Sequence, residues 1–356
     1  MQRSEVDRVP DEGEVPVRAA VSDWPSVAAA GDSLVDALDR MKRSDLGTLP
    51  VLAPDGTFAG LLVRRDLMET LRAHLRRPGD LPTVGEVCRP GVCVGLDAPI
   101  PTAIAVLDAE RVGRIPVVDG RELAGCITRE DIEEFLDMRR RFHRKYRVAE
   151  LPPRERAQLT WRLAQPDAIW TTWGIEITGE AFIAKAESYA DFDPAKAILE
   201  IGPGYGRLLR ECLRRELPFR RYVAVDISPA NAKHLAQQFG RDDIDVVNDD
   251  IETVDLGERF DIVLSSLTLK HLYPSFEAAL RNVERQLNPG ATLIFDVLEG
   301  EFATFTPADG VSYVRGYTRA ELQAMLSAMS LQFVAFDEVE HAPGQVRLLV
   351  VARKPA

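Results

Sequence analysis

The sequence predicts an α/β chain built from two different parts, and three observations carry this prediction. A pattern of glycine, proline and aspartate occurs twice before residue 140. Residues 198–209 read as a buried strand, a glycine-rich turn and the start of a helix, an arrangement typical of the carboxyl edge of a parallel sheet. The extended runs 331–337 and 345–352 are joined by a short polar link, which predicts an antiparallel hairpin because parallel neighbours need a long crossover.

Composition restricts the classes of partner. The chain has 356 residues, 46% of them hydrophobic and 28% charged, with a net charge of −12. Nucleic acids and anionic membranes are therefore unfavourable partners, since both require clustered cations. No apolar stretch reaches membrane-spanning length and the first residues do not form a signal peptide, so we expect a cytoplasmic protein. Four cysteines lack the paired spacing of a metal site, so we expect no bound metal.

The repeat is the first of the two parts. One copy runs from Gly47 to Leu67 and the other from Gly113 to Ile132. In both copies a proline follows the first glycine by three positions, and an aspartate follows the second glycine by six. A predicted helix precedes each copy, and another begins at Asp66 and at Asp131. Because a single unit of this kind cannot bury its sheet, we expect the two copies to share a core.

This helix–strand–strand–helix unit resembles the CBS domain, and the tandem pair over 14–136 resembles a Bateman module. The repeats lie at about 14–74 and 81–136. The resemblance implies a cleft that binds an adenine nucleotide, AMP or ATP, or another adenosyl compound as an effector. It also implies that the pair acts as a regulator or as the contact surface of a homodimer.

The resemblance also implies roles for particular residues of the two copies. Asp131 would contact the ribose of a nucleotide, and Thr128 would contact its ribose or phosphate. The first copy keeps Asp66 but carries Val63 where the hydroxyl is expected, so an equivalent second site does not follow. The alternative is structural, because the helix dipole alone favours an acid at the start of a helix.

Residues 137–165 are predicted to form a helical linker. The basic run 139–147 continues a charged helical pattern that Pro152 and Pro153 then break. Such a run binds RNA or acidic lipid in some proteins, but a solvated helix face paired with the chain's own acids is the favoured interpretation. The second part of the chain then covers residues 166–356.

The glycine-rich turn of the second part indicates the kind of ligand. Gly202, Gly204 and Gly206 follow the predicted strand that contains Glu200, whereas a dinucleotide-binding turn would place glycine at position 207. A carboxylate before the turn repels a pyrophosphate and suits a ligand that carries an ammonium or sulfonium group. The pattern E-x-G-x-G-x-G resembles the first motif of class I S-adenosylmethionine-dependent methyltransferases.

The sequence downstream resembles the remainder of that family's sheet. Predicted strands at 222–226, 245–250 and 260–266 resemble its second, third and fourth strands. Residues 287–290 resemble the turn before its fifth strand, at 292–297. The resemblance implies a Rossmann-like, seven-stranded sheet with a C-terminal antiparallel hairpin, and S-adenosyl-L-methionine as the cofactor.

The resemblance places cofactor contacts at the strand ends. Asp226 would accept hydrogen bonds from the ribose hydroxyls, as an acid in this position does in dinucleotide folds. Asp249 would contact the adenine amino group. Ser265, at the end of the fourth strand, completes the set of cofactor-binding residues that also includes Glu200 and the three glycines.

Fewer residues are candidates for binding or deprotonating the methyl acceptor. His271, after the fourth strand, is the candidate general base, with a helix-start histidine bonded to the backbone as the alternative. Tyr273, Tyr313 and Tyr317 are further pocket candidates. The segment before the first strand commonly forms a lid in this family, and within it Trp170 and Trp173 are equally compatible with ligand stacking and with ordinary packing; such packing is common for tryptophan.

These observations favour a methyltransferase acting on a small molecule, regulated or dimerised through the CBS pair. Two alternatives remain open. The first is a non-catalytic sensor of an adenosyl ligand, which would keep the cleft and use it to signal. The second is a nucleotide-gated RNA methyltransferase, which the basic run 139–147 would serve.

Overall fold

The computed structural model describes residues 5–76, 79–166 and 177–356, which form two compact units. The N-terminal unit comprises Val9–Ala149 and Pro307–Gly310. The C-terminal unit comprises Glu150–Thr306, Val311–Ala356 and the residues up to Arg8. The predicted linker 137–165 thus contributes residues to both units.

The N-terminal unit contains two three-stranded sheets flanked by helices, one sheet in each repeat. Its strands are β1 (Ala28–Ala29), β2 (Thr48–Leu52), β3 (Phe58–Val63), β4 (Val94–Gly95), β5 (Arg114–Asp119) and β6 (Glu122–Thr128). Its helices are α1 (Leu34–Arg43), α2 (Arg64–Arg76), α3 (Val84–Val87), α4 (Ile100–Glu110) and α5 (Arg129–Tyr146). The predicted helix–strand–strand–helix unit is therefore confirmed in both copies.

The two repeats are built alike down to the register of their strands. In each, a short strand pairs in parallel with the middle strand, which pairs antiparallel with the last strand. The register shifts next to the pair Val51–Gly60 in the first repeat and next to Val117–Gly125 in the second. The repeated sequence pattern therefore specifies the same bulged hairpin twice.

The second glycine of each repeat lies where another part of the chain crosses the hairpin. A Cβ atom on Gly60 would lie 2.6 Å from the carbonyl oxygen of Arg89, and one on Gly125 would lie 2.6 Å from that of Ser22. These two segments are called here the crossing segments. The one that contains Arg89 pairs with Leu61 in the last strand of the first repeat, and the one that contains Ser22 pairs with Cys126 in the last strand of the second repeat. The absence of a side chain at these glycines therefore lets the two repeats complete each other's sheet edges.

The C-terminal unit is a layered α/β structure with nine strands in one sheet. Its strands are β7 (Ala197–Ile201), β8 (Arg221–Asp226), β9 (Ile244–Asn248), β10 (Phe260–Ser265), β11 (Leu287–Glu299), β12 (Ala303–Phe305), β13 (Tyr313–Tyr317), β14 (Gln332–Glu340) and β15 (Val346–Arg353). Its helices are α6 (Pro153–Arg162), α7 (Glu180–Ala186), α8 (Arg207–Arg214), α9 (Pro229–Gln238), α10 (Glu277–Arg285) and α11 (Arg319–Ala328).

Strand order fixes where a ligand can bind to this sheet. The main path runs β9-β8-β7-β10-β11-β15-β14. Strands β7 to β11 are parallel to one another, and β15 is antiparallel to both β11 and β14. This confirms the predicted seven-stranded sheet and its C-terminal hairpin. After β7 the chain moves first to β8 and β9, then returns to the other side of β7 at β10. The switch point therefore lies between β7 and β10.

The two faces of the sheet carry separate hydrophobic cores. Leu199 and Ile201 of β7 pack on the side of α10 and α11, whereas Ile198 packs on the side of α7, α8 and α9. This alternation follows from the two-residue period of a strand. Buried residues on both faces explain why the parallel strands read as continuous apolar runs in the sequence.

The sheet departs from the predicted one at two places. The predicted turn 287–290 is a bulge within β11, since the register shifts between the pairs Phe260–Leu287 and Ile262–Thr292. In addition, β12 and β13 form a small antiparallel pair, and β13 pairs with the end of β11. These strands are three and five residues long, too short to show a two-residue hydrophobic period.

The helix before the prolines ends earlier than the sequence pattern predicts, and a new helix begins at Pro153. Helix α5 has 18 residues and ends at Tyr146, and α6 begins at Pro153, a residue favoured in the first turn of a helix. Within the ranges that the structure describes, no helix is both long and apolar enough to cross a bilayer.

The crossing segments generate the first prediction. Gly125→Ala and Gly60→Ala should each lower the free energy of unfolding of the N-terminal unit by about 1–3 kcal/mol, the usual cost of forcing an extra methyl group into a packed site. Urea denaturation of the full chain, followed by circular dichroism, measures this change.

Matched controls are the first glycines of the repeats, Gly47 and Gly113. A Cβ atom at either position meets no atom within 4 Å, so Gly47→Ala and Gly113→Ala should leave the transition within about 0.5 kcal/mol of the parent chain. Equal effects at both kinds of glycine would contradict the crossing-segment explanation.

Candidate functional site

The carboxyl ends of β7, β8 and β10 form the candidate cofactor site of the C-terminal unit. The loop 202–206 leaves β7 at the switch point and leads directly into α8. Crevices of this kind bind nucleotides because the loop backbone and the helix N-terminus point N–H groups at the ligand. The structure therefore brings the predicted glycine turn to the place where the fold binds ligands.

The conformation of the glycine loop 202–206 requires glycine at both of its ends. Gly202 has φ +64°, and a Cβ atom there would lie 2.3 Å from Cγ2 of Thr268. Gly206 has φ +82°, and its Cβ atom would lie 2.5 Å from Cδ2 of Leu235 in α9. Both the left-handed backbone and the close neighbours exclude larger residues. The Thr268 hydroxyl also donates to the Gly202 carbonyl at 3.0 Å, which holds the loop against the segment after β10.

Asp226 ends β8 beside this loop. Its Oδ2 accepts the Gly204 N–H at 3.0 Å and its Oδ1 accepts the Ser228 N–H at 2.8 Å. The residue is 7% exposed. Burial raises the pKa of this carboxyl group, and the N–H groups of Ser228 and Gly204 oppose the shift. Each carboxylate oxygen can accept a second hydrogen bond, so the geometry is compatible with ribose hydroxyls as further partners.

Glu200 is placed beneath the helix that follows the loop. Its side chain is fully buried, and its Oε2 accepts the Tyr222 hydroxyl at 2.7 Å. Burial raises the pKa of Glu200 to about 7, against the opposing effects of the Tyr222 hydroxyl and the Arg207 charge. The N–H of Leu209, in the first turn of α8, also favours its charged form. The structure therefore gives Glu200 a part in supporting the start of α8.

Two further predicted cofactor residues lie in different surroundings. Asp249 is exposed after β9, and its Oδ1 accepts the N–H of Asp250 at 2.7 Å. Ser265 is 1% exposed; its hydroxyl donates to the Ile201 carbonyl at 3.1 Å, and it lines an apolar cavity beside α10. The structure thus places Asp249 at the open edge of the sheet and Ser265 within the sheet itself.

Helix α6 and the residues after it reach the same edge of the sheet. Arg154 and Gln158 both donate to Oδ2 of Asp250, at 3.0 and 2.8 Å. Two residues beyond the end of α6, the Ala164 carbonyl accepts the Ser228 hydroxyl at 2.8 Å. The segment 153–164 therefore runs along the ends of β8 and β9, close to Asp226.

His271 lies between aromatic side chains after β10. Its ring centroid is 4.3 Å from that of Trp161, and its Nδ1 donates to the Tyr313 carbonyl at 2.8 Å. Burial, together with the neighbouring charge of Lys270, lowers the pKa of His271 to about 3. The imidazole is therefore neutral at physiological pH, with its proton on Nδ1 and the lone pair on Nε2.

The aromatic residues predicted near the acceptor are engaged with the protein itself. The Tyr313 hydroxyl donates to the Pro274 carbonyl at 2.9 Å, and Tyr317 is fully buried against Phe276. The Tyr273 hydroxyl donates to Asp7. Trp170 and Trp173, the candidates for a lid, lie outside the described residues.

The second CBS repeat keeps one carboxylate oxygen available. Thr128 caps α5: its hydroxyl accepts the Asp131 N–H at 3.0 Å, and Oδ2 of Asp131 accepts the Thr128 N–H at 2.8 Å. The hydroxyls of Thr128 and Ser22 also donate to this same oxygen. Within the described ranges Oδ1 of Asp131 accepts no hydrogen bond, so it can accept one from a ligand.

In the first repeat the corresponding aspartate, Asp66, forms an ion pair with Arg89. Nε of Arg89 donates to Oδ2 of Asp66 at 2.6 Å and Nη2 donates to Oδ1 at 3.0 Å. The same guanidinium donates to Glu110 of the other repeat at 2.6 Å. These contacts with Arg89 hold the pKa of Asp66 below its ordinary value. Two arginines beside these helix starts are also paired, Arg65 with Asp66 and Arg129 with Asp108.

Several contacts of the cofactor site were missed by sequence reasoning. Ser228 and Thr268 each link two loops, and Asn248 donates from its side-chain amide to the Asp226 carbonyl at 2.8 Å. Asn248 carried a detectable signal, because polar residues that end a parallel strand meet at the ligand edge. Ser228 and Thr268 carried none, since their partners are distant in sequence.

Comparison with protein families identifies both units. The family model for a methyltransferase domain matches residues 199–295, and the model for the CBS domain matches residues 21–73 and 84–137. The methyltransferase match begins within β7 and ends within β11. The two CBS matches cover the two repeats of the N-terminal unit.

Individual proteins resemble the two parts separately. Hypoxic response protein 1 of Mycobacterium tuberculosis is 31% identical over 107 residues, which is 30% of this chain and 73% of that protein. The structure of the 1,6-didemethyltoxoflavin-N1-methyltransferase of Burkholderia thailandensis is 23% identical, with a TM-score of 0.45, over 60% of this chain and 90% of the other. The structure of the N-methyltransferase NodS from Bradyrhizobium japonicum is 18% identical, with a TM-score of 0.40, over 52% and 92%. The chain therefore belongs to the CBS-domain proteins through its N-terminal repeats and carries a methyltransferase domain at 199–295.

Proposed function

We propose that this protein transfers a methyl group from S-adenosyl-L-methionine to a small-molecule acceptor, and that its CBS pair binds an adenine nucleotide as effector. The observation that carries the first part is the hydrogen-bonded arrangement of Asp226 and Gly204 at the switch point of the sheet. An acid after the second strand and a glycine loop after the first suit an adenosine ribose. The exposed Asp249 lies after the third strand, where an adenine ring would follow.

The residues present fit an adenosyl sulfonium. The loop between Gly202 and Gly206 offers backbone N–H groups, and the acids Asp226 and Asp249 lie at the edge on the β8 and β9 side. Local negative charge of this kind favours a ligand with a positive centre. When bound, S-adenosyl-L-methionine supplies an activated methyl group with a neutral leaving group. The protein's contribution is then to orient and desolvate the reactants, which can lower a barrier by ~7–11 kcal/mol.

The environment of His271 supports a hydrogen-bonding role in acceptor binding better than a role as general base. An efficient base has a pKa near the working pH, and that of His271 is about 3. Its Nε2 lone pair can nevertheless accept a hydrogen bond from an acceptor hydroxyl or amine. A histidine in this position would then orient the nucleophile without removing its proton.

The two alternatives make different demands on the molecule. A non-catalytic sensor needs the cleft but no acceptor, so release of S-adenosylhomocysteine with any acceptor would exclude it. An RNA methyltransferase needs a free basic face, yet Arg139 is buried and donates to the Pro10 carbonyl, Arg140 pairs with Glu12 and Arg141 with Asp137. This pairing supports the small-molecule acceptor.

The two CBS repeats differ in the hydrogen-bond acceptors that they leave available to a nucleotide. Oδ1 of Asp131 is available to a ribose hydroxyl, whereas both oxygens of Asp66 are engaged by Arg89. Val63 also replaces the hydroxyl that Thr128 provides in the second repeat. We therefore propose a single nucleotide site, in the second repeat.

The cofactor assignment predicts that Asp226→Ala weakens binding of S-adenosylhomocysteine by about 10- to 100-fold, the effect of losing a charged hydrogen-bond acceptor. Gly204→Val should abolish binding altogether, because valine does not tolerate the φ of +57° at this position. Isothermal titration of the full chain measures both. The exposed Asp242 provides the control: Asp242→Ala should bind as the parent does, and unchanged affinity in Asp226→Ala and Gly204→Val would refute the cleft assignment.

The lowered pKa of His271 predicts a pH dependence of stability. Because its folded-state pKa of about 3 lies below its ordinary value of 6.5, the unfolded chain binds the additional proton. The free energy of unfolding should therefore fall as the pH drops below 6.5, by up to about 1.4 kcal/mol per pH unit from this group. His271→Gln should reduce this slope between pH 6.5 and pH 4 in urea titrations. An identical slope in the variant would show that His271 is not held neutral.

The asymmetry of the repeats predicts one AMP per chain when the cofactor site is saturated with S-adenosylhomocysteine. Asp131→Ala should abolish AMP binding, because it removes the available ribose acceptor. Asp66→Ala is the matched control and should leave binding intact. Calorimetry gives both stoichiometry and affinity; two molecules per chain, or loss of binding in Asp66→Ala alone, would contradict the proposed site.

A further inference from the structure

A group of buried charges lies on the α8 side of the sheet, at the ends of β10 and β11. Asp296 of β11 shares this side with Ile294, because its neighbours Phe295 and Val297 pack on the opposite side. Around it are Arg207, Lys270, His341 and Arg347, which with Asp296 are called here the buried cationic cluster. None of these residues belongs to the cofactor contacts described above.

The carboxylate of Asp296 accepts hydrogen bonds from three neighbouring residues of the protein. Its Oδ2 accepts from Nε2 of His341 at 2.9 Å and from the Ser266 hydroxyl, and its Oδ1 accepts the Leu267 N–H at 2.8 Å. Burial by itself would raise the pKa of Asp296, but the hydrogen bonds from His341 and Ser266 and the charge of Arg207 keep it below its ordinary value. The cluster therefore contains one ionised and well-satisfied carboxylate.

Positive charge exceeds negative charge in this cluster. Arg207 is 8% exposed and Lys270 is 6% exposed. Burial, together with the charges of Arg347 and Arg207, lowers the pKa of Lys270 to about 8, so its ammonium is still mostly protonated at neutral pH. Three cations thus lie near Asp296, and Glu200 is a second acid that interacts with Arg207.

Among residues 5–76, 79–166 and 177–356, three buried nitrogen atoms of the cluster find no hydrogen-bond partner. These are Nη2 of Arg207, Nε of Arg347 and Nδ1 of His341. Buried polar atoms normally have partners, and the two guanidinium nitrogens can only donate. Nε2 of His341 donates to Asp296, so Nδ1 is the ring nitrogen that faces away from this carboxylate. The two guanidinium nitrogens are therefore the donors of the cluster that require an acceptor.

The cluster adjoins the loop that forms the candidate cofactor site. The Thr268 hydroxyl donates to the carbonyls of Gly202 and Ser266, at 3.0 and 3.2 Å. Ser266 in turn donates to Asp296. Asp226 and Asp296 lie three strand spacings apart across the sheet, roughly 14 Å. That separation suits two ligands bound side by side along one edge.

We propose that the buried cationic cluster binds an anionic group, a carboxylate or an oxyanion of similar size, of the methyl acceptor. A carboxylate accepts hydrogen bonds from several donors at once, so it can accept from Nη2 of Arg207 and from Nε of Arg347. The other bonded nitrogens of these groups donate within the protein, to the carbonyls of Thr178 and Val346 and to the Gln345 side chain. The negative charge of a carboxylate also interacts favourably with Arg207 and Arg347. This inference rests on the proposed methyltransferase function and names the class of its acceptor: a small organic acid.

The test uses benzoate and inorganic phosphate as probes on the full chain saturated with S-adenosylhomocysteine. Calorimetry and thermal unfolding are compared for the parent chain and Arg347→Gln, with His341→Asn as a second variant. Arg353→Gln is the matched control, because Arg353 is an exposed arginine on the same strand, β15. The affinity of each variant for S-adenosylhomocysteine is measured in parallel.

We expect at least one probe to bind the parent chain and Arg353→Gln equally, and to bind Arg347→Gln at least tenfold more weakly. Affinity for S-adenosylhomocysteine should stay within twofold in all variants. Absence of probe binding to the parent chain, or equal binding to Arg347→Gln and His341→Asn, would overturn the proposal. A parallel loss of S-adenosylhomocysteine affinity would also overturn it, because the occupant would then be the cofactor's own carboxylate.

Failure of the proposed function is distinguishable from failure of this inference. If the parent chain does not bind S-adenosylhomocysteine, the methyltransferase assignment fails, whatever the probes do. If it binds S-adenosylhomocysteine but neither probe, only the assignment of the acceptor class fails.

Discussion

The candidate cofactor site depends on the carboxylate of Asp226. By accepting the N–H groups of Gly204 and Ser228, it connects the loop after β7 to the loop after β8. Two strands that are parallel have no tight turn between them, so side-chain contacts of this kind must fix the relative positions of their loops. Gly202 and Gly206 then allow the loop to lie against Thr268 and Leu235 at distances that no larger residue permits.

Charge is distributed unevenly along this edge of the sheet. Acids end β8 and β9, on the side where an adenosine would bind, whereas Arg207, Lys270 and Arg347 lie toward β10, β11 and β15. Glu200, with a pKa of about 7, lies buried beneath α8 and interacts with Arg207. An uneven distribution orients two ligands of opposite charge, because each is attracted to one side and repelled from the other. A sulfonium and an organic anion are such a pair.

The two repeats of the N-terminal unit have the same strand register, but they differ in whether an aspartate oxygen is available to a ligand. Both repeats place an aspartate in the first turn of the helix after the hairpin, yet Arg89 engages Asp66 while Asp131 keeps one oxygen available. Arg89 belongs to the segment that crosses the hairpin of the first repeat. The corresponding crossing segment in the second repeat brings Ser22, which donates a single weak hydrogen bond of 3.3 Å to Asp131. The difference between Asp66 and Asp131 thus arises from the residues that the two crossing segments bring next to them.

Much of the fold followed from local sequence. The paired glycine and aspartate spacings predicted both CBS hairpins, and the apolar runs between 198 and 266 predicted the parallel strands, because burial on both faces leaves a continuous hydrophobic signature. Prediction failed for β12 and β13, which are too short to show a period, and for the bulge at 288–291, which proline and glycine made resemble a turn. Candidate residues at strand ends, such as Asp226 and Asp249, were accessible to the same reasoning, since the carboxyl ends of parallel strands meet at one edge.

The sequence by itself determined the classes of domain, the glycine loop and the acids that follow the strands. Only the tertiary structure decided the protonation and pairing of the functional groups. Whether His271 is charged depends on the burial of its ring beside Trp161, and whether Asp66 is available depends on Arg89. The buried cationic cluster joins residues from α8, the segment after β10, β11 and the β14–β15 hairpin. Such groupings are invisible in sequence because electrostatic energy depends on distance and burial in space, and residues far apart along the chain set both.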